Sequence, residues 1–251
     1  MPNPRIVRRY GWTHSLPDHR DYLFKDLGIQ SGNLPSNVDL SGKCSPVENQ
    51  GQLGSCTANA LAGALEYLEE ENGDFVPVSR LFIYYNERKI EGTVKMDSGA
   101  QIKDGIKSLA SLGVCTESQW PYLAAKFTKK PTAQCYSDAL THKITSYYKV
   151  LTFNDMQTAL ANGYPFVFGF SVYESFETIQ MAKTGILNLP KKTEQLLGGH
   201  AVLCVGYDNL TSRFKVRNSW GPQWGQGGYF TMPYGYLTNP NLASDIWVIT
   251  K

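Results

Sequence analysis

Residues 216–230 read VRNSWGPQWGQGGYF, and this stretch decides the fold prediction. The run FKVRNSW (214–220) has the apolar and aromatic character of a strand, and GGYFTM (227–232) is a second strand-like run. Asn218 lies at the end of the first run as a candidate polar group. A lone asparagine beside a tryptophan means little, so the neighbouring segments have to give it a context.

Outward from this stretch, the second half of the chain is rich in strands and the first half in helices. Three further strand-like runs are PFVFGFSV (165–172), HAVLCVGYD (200–208) and DIWVIT (245–250). Apolar residues at helical spacing predict long helices over about 55–72, 80–90 and 99–112, and a short one over 154–161. A helical half followed by a β half predicts an α+β architecture with two lobes. Sites commonly lie in the crevice between lobes.

Two residues on these elements could carry chemistry. Cys56 opens the first long helix, where the positive end of the helix dipole stabilises a thiolate and lowers a thiol pKa. His200 opens an apolar strand behind two glycines that leave its imidazole unobstructed. Each residue alone is more often structural than catalytic. Together with Asn218 they form a far more specific set.

The three segments resemble the papain family of cysteine peptidases. His200 follows Cys56 by 144 residues and Asn218 follows it by 162, whereas the family places its histidine and asparagine about 130–150 residues downstream. The resemblance runs from about Leu34 to the C-terminus, and the pattern N-S-W-G-x-x-W-G-x-x-G-Y matches throughout. Three other segments are similar to the compact bacterial branch of the family, namely GWTHSLPDHRDYLF (11–24), SPVENQGQLGSC (45–56) and SRLFIYYNER (79–88).

The resemblance implies an α+β, papain-like two-lobed fold. It implies a helical left lobe, an antiparallel β-barrel-like right lobe and an active site in the cleft between them. On this basis residues 34–251 are the catalytic domain, with the helical lobe over about 34–140 and the β lobe over about 141–251. Residues 1–33 are an N-terminal extension, too short for the helical prodomain that usually silences such enzymes.

The resemblance also implies a role for each site residue. Cys56 attacks the scissile carbonyl, and His200 as imidazolium gives its proton to the leaving amine. Asn218 orients the imidazole, and Trp220 covers the hydrogen bond between them. Gln50 donates a side-chain N–H to the oxyanion hole beside the backbone N–H of Cys56. No metal or organic cofactor is called for, and the expected partner is a peptide or protein substrate.

Two departures from the family pattern lie next to the nucleophile. The pattern C-G-[SA]-C-[WY] becomes LGSCT over residues 53–57. Leu53 stands where the family has a disulfide-forming cysteine. No cysteine lies between Cys56 and Cys115, so both halves of that bridge are absent. Thr57 replaces an aromatic residue that packs near the site. Of the other cysteines, Cys204 is expected to be buried and inert and Cys44 to be a free thiol, while Cys115 and Cys135 have the spacing for a bridge.

The family's substrate pockets map onto positions of small or apolar residues. They fall on Gly99, on Gly169 or Phe170, and on Gly199, and Phe170 would favour an apolar P2 side chain. Core packing of Phe170 is an equally good interpretation. No His-rich insertion blocks the cleft, which favours an endopeptidase over a dipeptidase.

Composition excludes several other classes of protein. The net charge is +2 and basic residues occur only as pairs, such as Arg8-Arg9 and Lys129-Lys130, so no nucleic-acid partner is expected. The longest strongly apolar run, 166–172, is far shorter than the roughly 20 residues of a membrane span. The N-terminus has no apolar leader. We therefore expect a cytoplasmic protein, or one exported by a route without such a leader, and the sequence leaves the oligomeric state open.

Two questions stay open at this point. The extension 1–33 either packs along the cleft and restricts access or ties the lobes together from behind, and the second is slightly favoured. Besides a peptidase, the same residues fit a thiol-dependent amidase or transpeptidase. A catalytically silent papain-like binding protein is the third alternative, to which only Thr57 points.

Overall fold

The computed structural model describes residues 10–29 and 32–251. The Arg8-Arg9 pair and the rest of 1–9, together with residues 30–31 of the predicted extension, lie outside the described residues. The helices are α1 (Cys56–Asn72), α2 (Arg80–Ile90), α3 (Ile102–Ser111), α4 (Ala133–Ala139), α5 (Phe153–Ala161), α6 (Ile179–Thr184) and α7 (Tyr234–Leu237). The strands are β1 (Trp12–Thr13), β2 (Asn37–Asp39), β3 (Ala100–Gln101), β4 (Ser146–Lys149), β5 (Phe166–Tyr173), β6 (Leu196–Asp208), β7 (Arg213–Arg217), β8 (Tyr229–Pro233) and β9 (Ala243–Thr250).

The three long helices of the first half follow the apolar periodicity, and their ends follow local capping. Helix α1 ends where Gly73 takes a left-handed backbone, with φ of 77°. Helix α2 begins after Ser79, whose hydroxyl oxygen accepts the N–H of Phe82 at 3.1 Å. Helix α3 starts at Ile102 instead of near Gly99, because Ala100–Gln101 are extended as β3. No described helix combines the length and the apolar character that crossing a membrane requires.

The second half is built on one antiparallel sheet. Its strand order is β4-β9-β5-β6-β7-β8, and β2 adds to β6 away from this path. Within the described residues β4 and β8 pair with only one neighbour each, so the predicted barrel-like lobe is an open sheet. Among the described strands, the end strands β4 and β8 do not pair with each other. The mixed helices and antiparallel strands match the predicted α+β class.

The boundary between the two predicted lobes is crossed by β2. Asn37–Asp39 falls inside the range predicted for the helical lobe, yet it pairs with Gly206–Asp208 of β6. The chain therefore contributes a strand to the sheet before it forms the helices. Otherwise α1 to α4 lie before residue 140 and the remaining sheet strands, β4 to β9, lie after residue 145.

The two faces of the sheet bury different cores. Along β5 and β6, Val167, Ala201 and Leu203 pack in the core beneath α1, α2 and α3. Their neighbours in sequence, such as Phe168 and Val202, pack in a second core on the opposite face. This is the period-two alternation of strand side chains. It decides which residues of β5 and β6 can face the cleft.

Helix α1 lies directly on β6 and β7. A side chain at Gly63 would come within 3.3 Å of Nε of Arg217 and 3.6 Å of Leu203. The buried Arg217 in turn donates to the carbonyl oxygens of Ser45 at 2.7 Å and Pro46 at 2.8 Å. This contact joins the lobes along the length of α1.

Residues 18–27 of the extension, here the anchor segment, are tied to the body away from the nucleophile. Phe24 is only 2% exposed and belongs to the second core. The Lys103 ammonium forms ion pairs with Asp21 and, at 3.3 Å, with Asp18. The backbone N–H of Lys149 donates to the carbonyl of Tyr22 at 2.8 Å. The anchor segment is thus part of the folded core.

We expect Phe24→Ala to lower the free energy of unfolding by about 3 kcal/mol, because it leaves a cavity in a closed core. Tyr22→Ala is the matched control, since Tyr22 lies two residues away and is 69% exposed, and it should change stability by less than about 0.5 kcal/mol. Urea unfolding followed by circular dichroism measures both. Equal stability of the two variants would contradict the anchoring role.

Candidate active site

Cys56 is the first residue of α1 and its side chain is fully buried. Burial raises the pKa of its thiol to about 11. The backbone N–H groups of Ala201 and Gly11 lower this pKa, but by less than burial raises it. The sequence led us to expect a lowered pKa from the helix N-terminus, and for this structure that expectation is wrong. The cost of desolvating a thiolate exceeds the stabilisation from the backbone N–H groups that face the thiol.

His200 and Asn218 form a buried pair beside this thiol. Nε2–H of His200 donates to Oδ1 of Asn218 at 2.8 Å, and both residues are at most 2% exposed. The same Oδ1 accepts the backbone N–H of Ser219 at 2.8 Å, which fixes the orientation of the amide. Ala201, next to His200 on β6, is the residue whose backbone contacts Cys56. The structure therefore pairs His200 with Asn218 and places the backbone next to His200 against the thiol of Cys56.

Trp220 packs against the imidazole ring of His200. Its ring lies 5.2 Å from that of His200 at an interplanar angle of 32°. Phe176 packs against both rings, with centroids 6.3 Å from His200 and 5.2 Å from Trp220. An aromatic cover of this kind keeps water from the histidine–asparagine hydrogen bond.

Gln50 joins the cysteine segment to the asparagine segment. Its backbone N–H donates to the carbonyl of Ser219 at 2.9 Å, and its Oε1 accepts the Ser219 hydroxyl at 2.5 Å. Its Nε2 donates to the carbonyl of Leu53 at 2.9 Å. The side-chain amide is buried and held between the two segments that carry Cys56 and Asn218.

The loop before Cys56 is held by hydrogen bonds to Asp97. The backbone N–H of Gly54 donates to the two carboxylate oxygens of Asp97 at 3.0 and 3.2 Å, and the Tyr84 hydroxyl donates to the same carboxylate. These contacts connect the cysteine loop to the segment before α3, which the family's missing disulfide would have joined. Thr57, the other departure, donates its hydroxyl to the buried Glu87 at 2.6 Å.

Sequence reasoning missed Asp97. An acidic residue that precedes Gly99 in a polar loop carries no periodic or motif signal, and only the fold brings it to Gly54. The predicted loss of the disulfide was the one clue that another tie should exist at this place.

The remaining cysteines are free thiols. Cys204 is fully buried in β6 and burial raises its pKa, in line with the expected inert role. Cys115 and Cys135 are both buried and their side chains contact each other without a bond. Over the described ranges, no three histidine, cysteine or acidic side chains come together in a way that could hold a metal ion.

Residues 10–15, here the cleft segment, lie across Cys56 and the glycines on either side of it. A Cβ added at Gly99 would lie 2.1 Å from the carbonyl oxygen of Gly11. A Cβ added at Gly54 would lie 3.4 Å from the Cα of Gly11. The carbonyl of Gly11 accepts the N–H of Ala100 at 2.7 Å. From there β1 runs parallel to β3, with Trp12 beside Ala100.

Trp12 occupies the next position along the cleft. Side chains added at Gly169 or Gly199 would collide with its indole at 1.9 and 2.5 Å. Thus Gly99, Gly169 and Gly199, all assigned to subsites from the sequence, contact the cleft segment. Phe170 lies on the opposite face of β5, packed against Phe176 at a centroid distance of 5.2 Å. The structure therefore places Phe170 in the core and leaves the cleft wall to Gly169.

Comparison with known proteins matches most of the chain to one protein family. The profile of the papain family cysteine protease domain matches residues 34–248. The solved structure of xylellain, a cysteine protease from Xylella fastidiosa, has 44% sequence identity and a TM-score of 0.89, covering 98% of this chain and 99% of that one. An uncharacterized peptidase C1-like protein of Acanthamoeba polyphaga mimivirus is 42% identical over 100% of this chain and 89% of its own length. A cathepsin L-like proteinase of Fasciola hepatica is 30% identical over 84% of this chain and 65% of its own length.

Fold and similarity together define a cysteine-type hydrolase. The chain belongs to the papain family of cysteine proteases. The family, the papain-like two-lobed fold and the enzyme class predicted from the sequence are confirmed.

Replacing Asp97 by alanine should lower the free energy of unfolding by about 2 kcal/mol, since it leaves the Gly54 N–H and the Tyr84 hydroxyl without their charged acceptor. Asp97→Asn keeps one acceptor oxygen and should lose less than half of that. Asp74→Ala, at an exposed position beyond the far end of α1, is the control. Chemical denaturation compares the three, and an Asp97→Ala chain as stable as Asp74→Ala would show that the hydrogen bonds to Asp97 contribute nothing to stability.

Proposed function

We propose that the chain hydrolyses internal peptide bonds by a Cys-His-Asn mechanism. The observation that carries this proposal is the 2.8 Å hydrogen bond from His200 to Asn218, buried beneath Trp220 and beside a cysteine that opens a helix. That bond commits Nε2 of His200 to Asn218, so proton exchange with Cys56 falls to Nδ1. The asparagine holds the ring in the orientation that such an exchange needs.

The reaction runs in two stages. The Cys56 thiolate adds to the scissile carbonyl carbon, and the tetrahedral oxyanion is stabilised by the Cys56 backbone N–H and by Nε2 of Gln50. The Gln50 amide carries two N–H groups, and Leu53 takes only one of them. The His200 imidazolium then protonates the leaving amine as the C–N bond breaks, giving a thioester. Water, deprotonated by His200, hydrolyses the thioester and restores the thiol.

Substitution of the four residues should give graded losses of peptidase activity. Cys56→Ala removes the nucleophile and should abolish turnover, and His200→Ala should nearly abolish it. Gln50→Ala should lower kcat roughly 10²–10³-fold, the usual cost of one oxyanion donor. Asn218→Ala should lose less than His200→Ala, because it only orients the ring. Turnover of a fluorogenic peptide measures each, and activity retained by Cys56→Ala would refute the mechanism.

An amidase or transpeptidase would use the same groups, so product analysis has to separate these functions. An added amine nucleophile should compete with water for the thioester in a transpeptidase and leave the products unchanged in a hydrolase. A silent binding protein would show neither product.

We also propose that the cleft segment gates the site. The thiol of Cys56 faces the backbone N–H of Gly11, and the carbonyl of Gly11 is bound by Ala100 instead of by the oxyanion donors. A carbonyl in that position is not activated for attack, so the segment blocks the nucleophile without being a substrate. The two interpretations of the extension thus apply to different parts, the gate to residues 10–15 and the tie to residues 18–27.

Removal of residues 1–15 should raise the rate of iodoacetamide labelling of Cys56. With a pKa of about 11, the covered thiol is only about 0.1% ionised at pH 8, and re-exposure to water removes the burial that raises it. We expect at least a tenfold faster reaction, with the midpoint of its pH profile shifted to lower pH. Peptide mass spectrometry reads the label, and the fully buried Cys204 is the internal control.

The truncation is chosen to keep Phe24 and Asp21, so the anchor segment stays in place. If labelling of Cys56 is unchanged in a chain that unfolds like the parent, the gate is refuted. Deletion of 1–33 would not separate the two roles, because it also removes a core aromatic residue.

A further inference from the structure

We propose that Arg80, Asn59 and Tyr122 are positioning residues for the oxyanion hole, which hold and polarise both of its donors from behind. The inference rests on the proposed peptidase function and deepens it. The two donors are the side-chain amide of Gln50 and the backbone N–H of Cys56. The three positioning residues act only through these two groups and are given no contact with the substrate.

The hydroxyl of Tyr122 lies between the two segments that carry the donors. It donates to the backbone carbonyl of Gln50 at 2.8 Å and also contacts the hydroxyl of Ser55, the residue before Cys56. A carbonyl can only accept, so the single phenol proton goes to Gln50, and the Ser55 hydroxyl donates to the phenol oxygen. Burial raises the pKa of Tyr122 to about 12, so the phenol keeps this proton at neutral pH.

Asn59, on the first turn of α1, holds Ser55 from another direction. Its Nδ2 donates to the carbonyl of Ser55 at 2.8 Å and to the Ser55 hydroxyl at 3.1 Å. The backbone N–H of Asn59 donates to the same carbonyl at 3.0 Å. The carbonyl of Ser55 and the N–H of Cys56 belong to one peptide group, and donors on the carbonyl oxygen polarise that N–H. The Cys56 N–H is thereby made a stronger donor to a developing oxyanion.

Arg80 places a positive charge at the start of this chain of hydrogen bonds. Its Nη1 donates to Oδ1 of Asn59 at 3.3 Å, and its guanidinium carbon lies 4.2 Å from the centroid of the Tyr122 ring. Arg80, Asn59 and Ser55 are each at most 7% exposed. Every donor in the chain points the same way, from the guanidinium toward the Gln50 carbonyl. Aligned hydrogen bonds of this kind strengthen one another in a buried site.

Two acidic side chains hold the guanidinium in place. Nη2 of Arg80 lies 3.3 Å from a carboxylate oxygen of Glu48 and 3.5 Å from one of Glu117. Glu117 also accepts the backbone N–H of Tyr122 at 2.6 Å. The arginine and the tyrosine are thus fixed relative to each other by a shared carboxylate. Packing of the helical lobe would bury the same groups, so the test has to measure the oxyanion hole itself.

The test compares two reactions of the same thiol. Peptide hydrolysis passes through an oxyanion, whereas iodoacetamide loses iodide from a saturated carbon as the sulfur bonds to it, and no oxyanion forms. All chains are full length and carry Trp12→Ala, which weakens the hold of the cleft segment by removing its buried indole. Both reagents need an open cleft. An effect of a variant on opening therefore changes kcat/KM and the alkylation rate alike and cancels in their ratio.

Tyr122→Phe removes only the hydroxyl, and Asn59→Ala removes the side-chain donor to Ser55. For each we expect kcat on a fluorogenic peptide to fall about tenfold, less than the roughly 10²–10³-fold cost of losing a donor outright. KM and the alkylation rate should stay within about twofold, because neither depends on the transition-state oxyanion. Tyr207→Phe is the matched control, since its hydroxyl also donates to a backbone carbonyl, that of Pro35, at 2.8 Å. It should leave the ratio unchanged.

Two substitutions of Arg80 test the charge at the start of the chain. Arg80→Lys keeps a cation, and Arg80→Met keeps the length of the side chain without one. The lysine variant should retain more of the parent kcat than the methionine variant, again at an unchanged alkylation rate. Equal kcat in the two would overturn the part assigned to Arg80.

A double substitution shows whether Tyr122 acts through the oxyanion hole. In the Gln50→Ala chain one donor is already gone, so Tyr122→Phe should lower kcat there by less than about threefold. Effects that multiply in full would overturn the inference. So would a fall in the alkylation rate as large as the fall in kcat/KM, since it would assign Tyr122 and Asn59 to packing alone.

A peptide aldehyde gives a measurement that needs no turnover. The thiol adds across the carbonyl, sulfur bonding to carbon and the proton passing to oxygen, which then lies in the oxyanion hole. The dissociation constant of this adduct should rise in Tyr122→Phe and Asn59→Ala but not in Tyr207→Phe. This order in chains that hydrolyse no peptide would keep the inference and refute the proposed peptidase. Hydrolysis with the same kcat in all three chains would keep the peptidase and refute the inference.

Discussion

The contact between α1 and β6 is the constraint on which the site depends. Gly63 lets the helix lie against Arg217 and Leu203, and Arg217 ties the chain before α1 to β7 through two backbone carbonyls. Cys56 is fixed at the start of that helix, and His200 and Ala201 are fixed on the strand beneath it. The relative position of Cys56 and His200 is therefore set by the packing of α1 on β6. A Cβ at Gly63 would lie only 3.3 Å from Nε of Arg217, so this packing leaves little room for a side chain there.

The same packing produces two opposite effects on the thiol. The helix N-terminus and nearby backbone N–H groups favour a thiolate, and burial under the cleft segment disfavours it more strongly. Because the segment is part of the burial, its presence or absence changes the ionisation of Cys56 without any change at His200 or Asn218. In the proposed gate, the resting state and the reactive state differ by the position of residues 10–15.

Much of this could be predicted from the sequence, for identifiable reasons. The long helices and the main strands follow apolar periodicity. Short motifs identify the segments that carry Cys56, His200 and Asn218. Asp97, Asp245 and the position of Trp12 could not be predicted. Each depends on contacts between residues far apart in the chain, such as Trp12 with Asp245 and Gly54 with Asp97, and Asp245 also lies at a register shift between β5 and β9, which alternation cannot reveal. Phe170 and Gly169 are neighbours in sequence, so only the register of β5 could show which one faces the cleft.

In the proposed gate, the anchor segment is the tether that keeps the cleft segment close to Cys56. Phe24 and the Lys103 ion pairs hold the chain a few residues from the cleft segment, so its effective concentration at the cleft is in the millimolar range or above. A substrate must replace the Gly11–Ala100 hydrogen bond and the Trp12–Asp245 contact in competition with that tethered segment. Weak individual contacts are then enough to keep the cleft closed.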